Sequence, residues 1–141
     1  MRALTMHRLS TYHILMSKSQ VAMREPTYFV LASLLDRPLH GYAIIKHAEE
    51  LSGGRVRLAT GTLYTALDRL TGEGYVTVIR EEVVNGRTRR TYALTGAGAT
   101  AVRAEAERMA AAARVVTDPA ASARSAAGSP AAPRARRVRP A

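Results

Sequence analysis

The sequence contains no cysteine, which excludes a disulfide framework, a thiol nucleophile and a thiolate metal site. No apolar run approaches the roughly 18 residues that would suggest a membrane span. There is no G-x-S-x-G, no H-E-x-x-H and no phosphate-binding glycine loop. The histidines, His7, His13, His40 and His47, have no cysteine or His/Asp cluster beside them to complete a metal site, although His40 and His47 stand seven apart on one helix. Asp68 and Glu73 lack a carboxylate partner at a useful spacing. Gly96-Ala97-Gly98 follows a strand pattern without the rest of a dinucleotide fingerprint and reads as a hinge. The chain is therefore expected to have no catalytic residues, no metal and no cofactor, and not to be an enzyme.

Acidic residues are scarce as well, and unevenly so. Across 141 residues there are 21 Lys+Arg against 11 Asp+Glu, a net charge of +10. Such a balance points to a polyanionic partner, most simply nucleic acid. Residues 1–24 hold Arg2, Arg8, Lys18 and Arg24 with no acid, and residues 117–141 hold five arginines against Asp118. The middle is nearly neutral, so its basic groups must cluster locally to bind anything. Residues 1–24 show no sustained period, no uninterrupted apolar h-region and no small-residue cleavage site. They are expected to be a disordered leader, with Met16 or Met23 as alternative translation starts. Residues 117–141 are Ala, Pro, Ser and Arg and lack the apolar bulk to offset ordering entropy, so a disordered basic tail is expected.

Between these ends the periodicity is clear. Pro26 suits the first turn of a helix carrying Tyr28, Phe29, Val30, Leu31, Leu34 and Leu35, which Pro38 ends. A second helix from about His40 buries Ile44, Ile45, Ala48 and Leu51 and closes at Ser52-Gly53-Gly54. Arg55–Leu58 alternates and reads as a short strand. The stretch around which the rest is organised follows. Leu63, Ala66, Leu67 and Leu70 recur at helical spacing, with Thr60 as N-cap and Gly72 or Gly74 as stop. The opposite face presents Gly61, Thr62, Thr65 and Arg69, with Tyr64 at its edge. Small polar groups at the start of a short helix suit entry into a major groove.

After Gly74 the period drops to two. Tyr75–Arg80 reads as a strand, Asn85-Gly86 as a two-residue hairpin turn, and Arg87–Leu94 as the return strand. Three helices followed by a hairpin is the winged-helix order, and Arg87, Arg89 and Arg90 crowd the wing. A final helix runs from Thr95 to about Val116. Its Val102, Ala106, Met109, Ala113 and Val116 keep a 4-3-4-3 spacing, a coiled-coil seam that pairing with a second copy would cover most economically, the alternative being a helix folded back on its own domain.

These residues resemble the PadR family of transcriptional regulators. The resemblance lies in Leu39-His40-Gly41-Tyr42-Ala43-Ile44-Ile45, Thr60-Gly61-Thr62-Leu63-Tyr64 with Ala66, Leu67 and Leu70, and Gly72-Glu73-Gly74-Tyr75-Val76. It continues through Asn85-Gly86-Arg87 and Tyr92-Ala93-Leu94-Thr95-Gly96-Ala97-Gly98, covering about residues 25–116. It implies a winged helix-turn-helix repressor that dimerises through its C-terminal helix, as in the smaller subclass. DNA contacts would fall on Thr60, Gly61, Thr62, Tyr64 and Thr65, with Tyr42 and Lys46 near the backbone and the arginine wing outside. The family commonly has proline where Thr60 and Thr65 stand here. Its members often respond to small, frequently aromatic effectors, yet the C-terminal helix here carries no aromatic residue.

The resulting expectation is a mostly α fold with a small β-hairpin wing (α+β). It comprises a winged-helix domain over residues 25–95, a dimerisation helix over 96–116 and a tail from 117. The DNA-binding set is Tyr42, Lys46, Thr60, Gly61, Thr62, Tyr64, Thr65, Arg69, Arg87, Arg89 and Arg90. The partners are double-stranded operator DNA, a second copy and a small-molecule effector whose identity is open, with no membrane and with a cytoplasmic, nucleoid-associated location. The alternative is a winged-helix adapter that binds protein and has only non-specific affinity for DNA.

Overall fold

A computed structural model describes residues 23–128. The leader before Met23 and the arginine cluster after Gly128 lie outside the described residues. In chain order the elements are α1 (Glu25–Ser33), β1 (Leu39–His40), α2 (Gly41–Leu51), α3 (Thr60–Gly72), β2 (Val76–Val84), β3 (Arg87–Leu94), α4 (Gly96–Thr117) and α5 (Pro119–Ala127). The chain divides into two compact units, one ending at Ala106 and the other beginning at Glu107. The division falls inside α4.

The first unit is held by an apolar core to which every element contributes. Val30, Leu31 and Leu34 come from α1 and its cap, Ile44 from α2, and Leu63, Leu67 and Leu70 from α3. Leu39, Val76 and Tyr92 add the sheet, and Val102 adds α4. The helical stripe expected for α3 is thus the buried one. Leu51 of α2, expected inside, is exposed instead, because the helix ends there and the chain turns away. That turn is a two-bond glycine cap in which the Gly53 and Gly54 amides donate to the carbonyls of Glu50 and Glu49, with φ positive at both glycines.

The segment 55–58 is not a strand. The Ser52 hydroxyl accepts from the Val56 amide at 2.9 Å, so the local side chain takes the donor that a sheet partner would need. Val56 is buried all the same. The third strand of the sheet is β1 instead, and the order is β1-β3-β2, all antiparallel. Leu39 pairs with Tyr92 and His40 with Thr91.

The hairpin turn is as expected. Asn85 and Gly86 both have positive φ, 51° and 75°, as a type I′ turn requires. However, β2 runs past Arg80 to Val84. The extension is possible because the register slips between Val78 and Arg80. Ile79 bulges out, and the alternation of faces is reset beyond it.

Thr95 does cap α4. Its hydroxyl accepts from the Gly98 amide at 3.0 Å and donates to the Gly74 carbonyl at 2.6 Å. Gly96-Ala97-Gly98 is the first turn of α4, not a hinge. A Cβ at Gly98 would run into the Tyr75 carbonyl oxygen, so glycine there permits a close backbone approach. Thr60, by contrast, is the first helical residue of α3. Ala59 holds the N-cap position, with no side-chain cap hydrogen bond.

The C-terminal expectations need two corrections. Val102, assigned to a free seam, is buried in the core of its own chain, and Ala106 is half-buried. The first unit therefore covers the start of the stripe, which remains exposed at Met109, Ala113 and Val116. Residues 119–127, expected to be unstructured, form α5. Asp118 caps it by accepting the Ala121 amide at 3.1 Å, and Pro119 opens it, a pairing that favours helix initiation.

Candidate nucleic-acid interface

The first turn of α3 is exposed from Thr60 through Thr62. A Cβ on Gly61 would meet no atom within 4 Å. Nothing inside the chain therefore requires a glycine there, although helical glycine costs up to about 1 kcal/mol relative to alanine. Thr62 and Thr65 lie on the same face. The Thr65 hydroxyl donates to the Gly61 carbonyl at 3.0 Å, whereas the Thr62 hydroxyl makes no hydrogen bond among the described residues. Gly61, Thr62 and Thr65 line a shallow cleft of about 690 Å³ with Arg24 and Thr27 at the start of α1.

Tyr64 occupies the edge of this face in a way that explains a neighbouring motif. Its hydroxyl lies over Gly41, where a Cβ would come within 2.8 Å of it. The glycine of His40-Gly41-Tyr42 thus lets α3 close down on the first turn of α2. Tyr64 remains 41% exposed, so it is both a packing residue and a surface one. Tyr42 and Lys46, one turn apart on α2, are exposed.

The arginines divide into two groups. Arg69 is braced: its Nη2 donates to Thr27 Oγ1 at 2.9 Å and its Nη1 lies 3.6 Å from Glu73 Oε1. Arg90 Nε is 3.7 Å from Glu81 Oε2, directly across the ladder. Arg89 Nε is 4.0 Å from Glu82 Oε1, and its Nη2 is 3.2 Å from His40 Nδ1. Glu82 also reaches Arg80, at 3.4 Å. Arg87, next to the turn, has no such partner among the described residues.

Arg90 and Tyr92, two residues apart on β3, affect each other's titration. The neighbouring Tyr92 and Glu81 raise the Arg90 guanidinium pKa above the usual value. Burial pushes the Tyr92 phenol up, partly offset by Arg90. Tyr64 and Asp68 of α3 raise it further.

Sequence reasoning missed Glu81, Glu82, His40, Thr27 and Gly41 as parts of this surface. For the two glutamates the signal was present. A two-residue turn at Asn85-Gly86 sets Glu82 opposite Arg89 and Glu81 opposite Arg90 without further information. Among the described residues no acidic or histidine cluster suited to a metal ion occurs, and no helix is long and apolar enough to cross a membrane.

Residues 30–104 match the model of the transcriptional regulator PadR-like family. Over 81 residues the chain is 44% identical to an uncharacterized 37.1 kDa protein in transposon TN4556 of Streptomyces fradiae, covering 57% of this chain and 22% of that protein. Over 73 residues it is 38% identical to transcriptional regulator Rv3488 of Mycobacterium tuberculosis, covering 52% of this chain and 64% of that one. The chain thus spans less than two thirds of the length of either relative. Its fold is similar to that of Bacillus subtilis PadR in a complex with operator DNA, with TM-score 0.50 and 27% identity over 57% of this chain and 46% of that one. It is also similar to a PadR-like transcription factor of Bacteroides fragilis, with TM-score 0.56 and 25% identity over 67% and 88% of the two chains. Proteins of this family are regulators of transcription, not enzymes. The family match takes in the core, the exposed helix and the wing together, and the chain belongs to the PadR-like family of transcriptional regulators.

Proposed function

We propose that the chain is a sequence-specific DNA-binding repressor acting in the cytoplasm as a dimer. Each copy sets α3 in a major groove, the two grooves being roughly 10 bp apart on a pseudo-palindromic operator. The observation that carries this reading is the first turn of α3. An exposed glycine with no internal reason to be there stands next to Thr62, whose hydroxyl is uncommitted. Thr60, Gly61, Thr62, Tyr64 and Thr65 would face the bases, and Tyr42 and Lys46 the adjoining backbone. Arg87 meets phosphate from the wing tip, with Arg89 and Arg90 behind it, and Arg69 acts from the position that Thr27 and Glu73 hold. The operator complex known for Bacillus subtilis PadR supports DNA as the partner.

Dimerisation rests on the exposed part of the α4 stripe, Met109, Ala113 and Val116. Val116 is 81% exposed and its neighbour Val115 58%, more apolar surface than an isolated helix gains from showing to water. Met109→Lys is expected to raise the dimer dissociation constant by tenfold or more while leaving the core intact. Sedimentation at several concentrations measures it, and an unchanged mass would place the dimer contact elsewhere. An effector of modest size would fit the cleft of about 330 Å³ between Leu34–Pro38 and the start of α4, where Arg37 and Arg103 stand beside apolar Leu34, Leu35 and Leu94.

The test is selection of duplexes from a random-sequence pool by the full chain, followed by binding of the winner and a shuffled duplex at two salt concentrations. A preference of roughly 10³ or more that survives physiological salt is expected. Equal binding of both duplexes that vanishes with salt would instead favour the protein-binding adapter.

A further inference from the structure

We infer that Glu81 and Glu82 are specificity-determining residues, whose carboxylates hold the wing's affinity for random DNA down more than its affinity for an operator. The inference rests on the DNA-binding reading above. The hairpin carries Arg80, Arg87, Arg89 and Arg90, and these two glutamates are its acids. Each glutamate faces an arginine across the ladder, Glu81 with Arg90 and Glu82 with Arg89, and Glu82 also reaches Arg80 at 3.4 Å. Half of the wing's positive charge is thereby answered from within.

Fold stability does not account for the arrangement. The side chains of both Arg–Glu pairs across the ladder are 35–57% exposed, and exposed ion pairs of this kind add little to folding. Their larger effect is on the field that the wing presents to a polyanion. Non-specific binding is almost wholly electrostatic, and its salt dependence counts the phosphates neutralised. The Glu81–Arg90 and Glu82–Arg89 pairs lie on opposite faces of the ribbon, and with no base contact to fix a register, random DNA can settle on either face and meet the charges there. On an operator the seating of α3 fixes where the wing falls, and Arg87 at the tip can reach phosphate without breaking a pair. The two carboxylates therefore subtract most from the complex that has nothing but charge to hold it.

The experiment uses the full-length chain with Glu81→Gln and Glu82→Gln together, which keeps side-chain shape and one acceptor oxygen and removes the charge. The probes are a duplex selected by the wild-type chain from a random pool and its shuffled counterpart, each titrated across salt. The shuffled duplex is expected to bind about fivefold more tightly near physiological salt, with a salt slope steeper by about 1. The selected duplex is expected to gain less than about twofold, so discrimination falls. A second variant, Thr88→Glu, adds an acid to the exposed face of β3 and is expected to weaken shuffled-duplex binding and flatten its slope by about 1. Equal gains on both duplexes, or no change on the shuffled one, would overturn the assignment. A wild-type chain that selects no duplex would instead overturn the DNA-binding reading, and the inference with it.

Discussion

Gly98→Ala is expected to destabilise the first unit by about 2 kcal/mol. The new Cβ would collide with the Tyr75 carbonyl oxygen and come within 2.7 Å of Leu94 Cδ1. That carbonyl cannot yield easily, because it accepts the Thr95 amide at 3.1 Å. Moving α4 away would disturb the Thr95 bonds to Gly74 and Gly98 and draw Val102 out of the core. Overpacking of this kind costs about 1–3 kcal/mol, and the surrounding hydrogen bonds add to it. Alanine recovers up to about 1 kcal/mol of helix propensity, so the steric term prevails. Urea denaturation measures the effect as a lower midpoint at constant slope. Gly61→Ala is the matched control: with open space around its Cβ, it should leave stability unchanged or slightly improved. A loss under about 0.5 kcal/mol at Gly98 would mean that the junction accommodates a methyl group by a route the packing does not suggest.

Thr62→Ala is expected to lower the ratio of selected to shuffled DNA binding by about tenfold. A base contact is worth about 1–3 kcal/mol of discrimination, and a single hydroxyl falls near the lower half of that range. Because no charge changes, affinity for shuffled DNA and the salt slope should stay as they are. Thr65→Ala should have a smaller effect, since the Thr65 hydroxyl already donates to the Gly61 carbonyl and offers an outside partner only its lone pairs and methyl group. Competition binding with the two duplexes distinguishes these outcomes. If both duplexes weakened together, Thr62 would be touching backbone rather than base.

Much of the charge pattern at the surface follows from the chain's own folding. The basic residues assigned to DNA are not equivalent once their partners are known. Arg69 is bonded to α1, Arg89 to His40 and Glu82, and Arg90 to Glu81. An arginine that must surrender a partner to reach phosphate contributes less than one that need not. By that measure Arg87 is the wing residue with most to offer.

Local spacing by itself determined the three main helices, although α1 stops at Ser33 rather than at Pro38, together with the Asn85-Gly86 turn, the return strand and the buried stripe of α3. Each depends on residues within a few positions of one another, whose periodicity or φ preference acts wherever the segment is placed. The Glu81–Arg90 and Glu82–Arg89 pairings were legible too, because a two-residue turn fixes its register. So was the cap of α5: Asp118-Pro119 is a local start signal, and the composition of the tail obscured it. Tertiary structure decided the rest. Leu39–His40 became a strand because β3 offered an edge, while Val56 lost that role to the Ser52 hydroxyl. Val102 left the expected seam because the core had room for it, and Arg69, though exposed, bonded to Thr27, 42 residues earlier in the chain. A stripe of apolar residues says that a face will be covered, but what covers it depends on which surfaces meet when the whole chain closes.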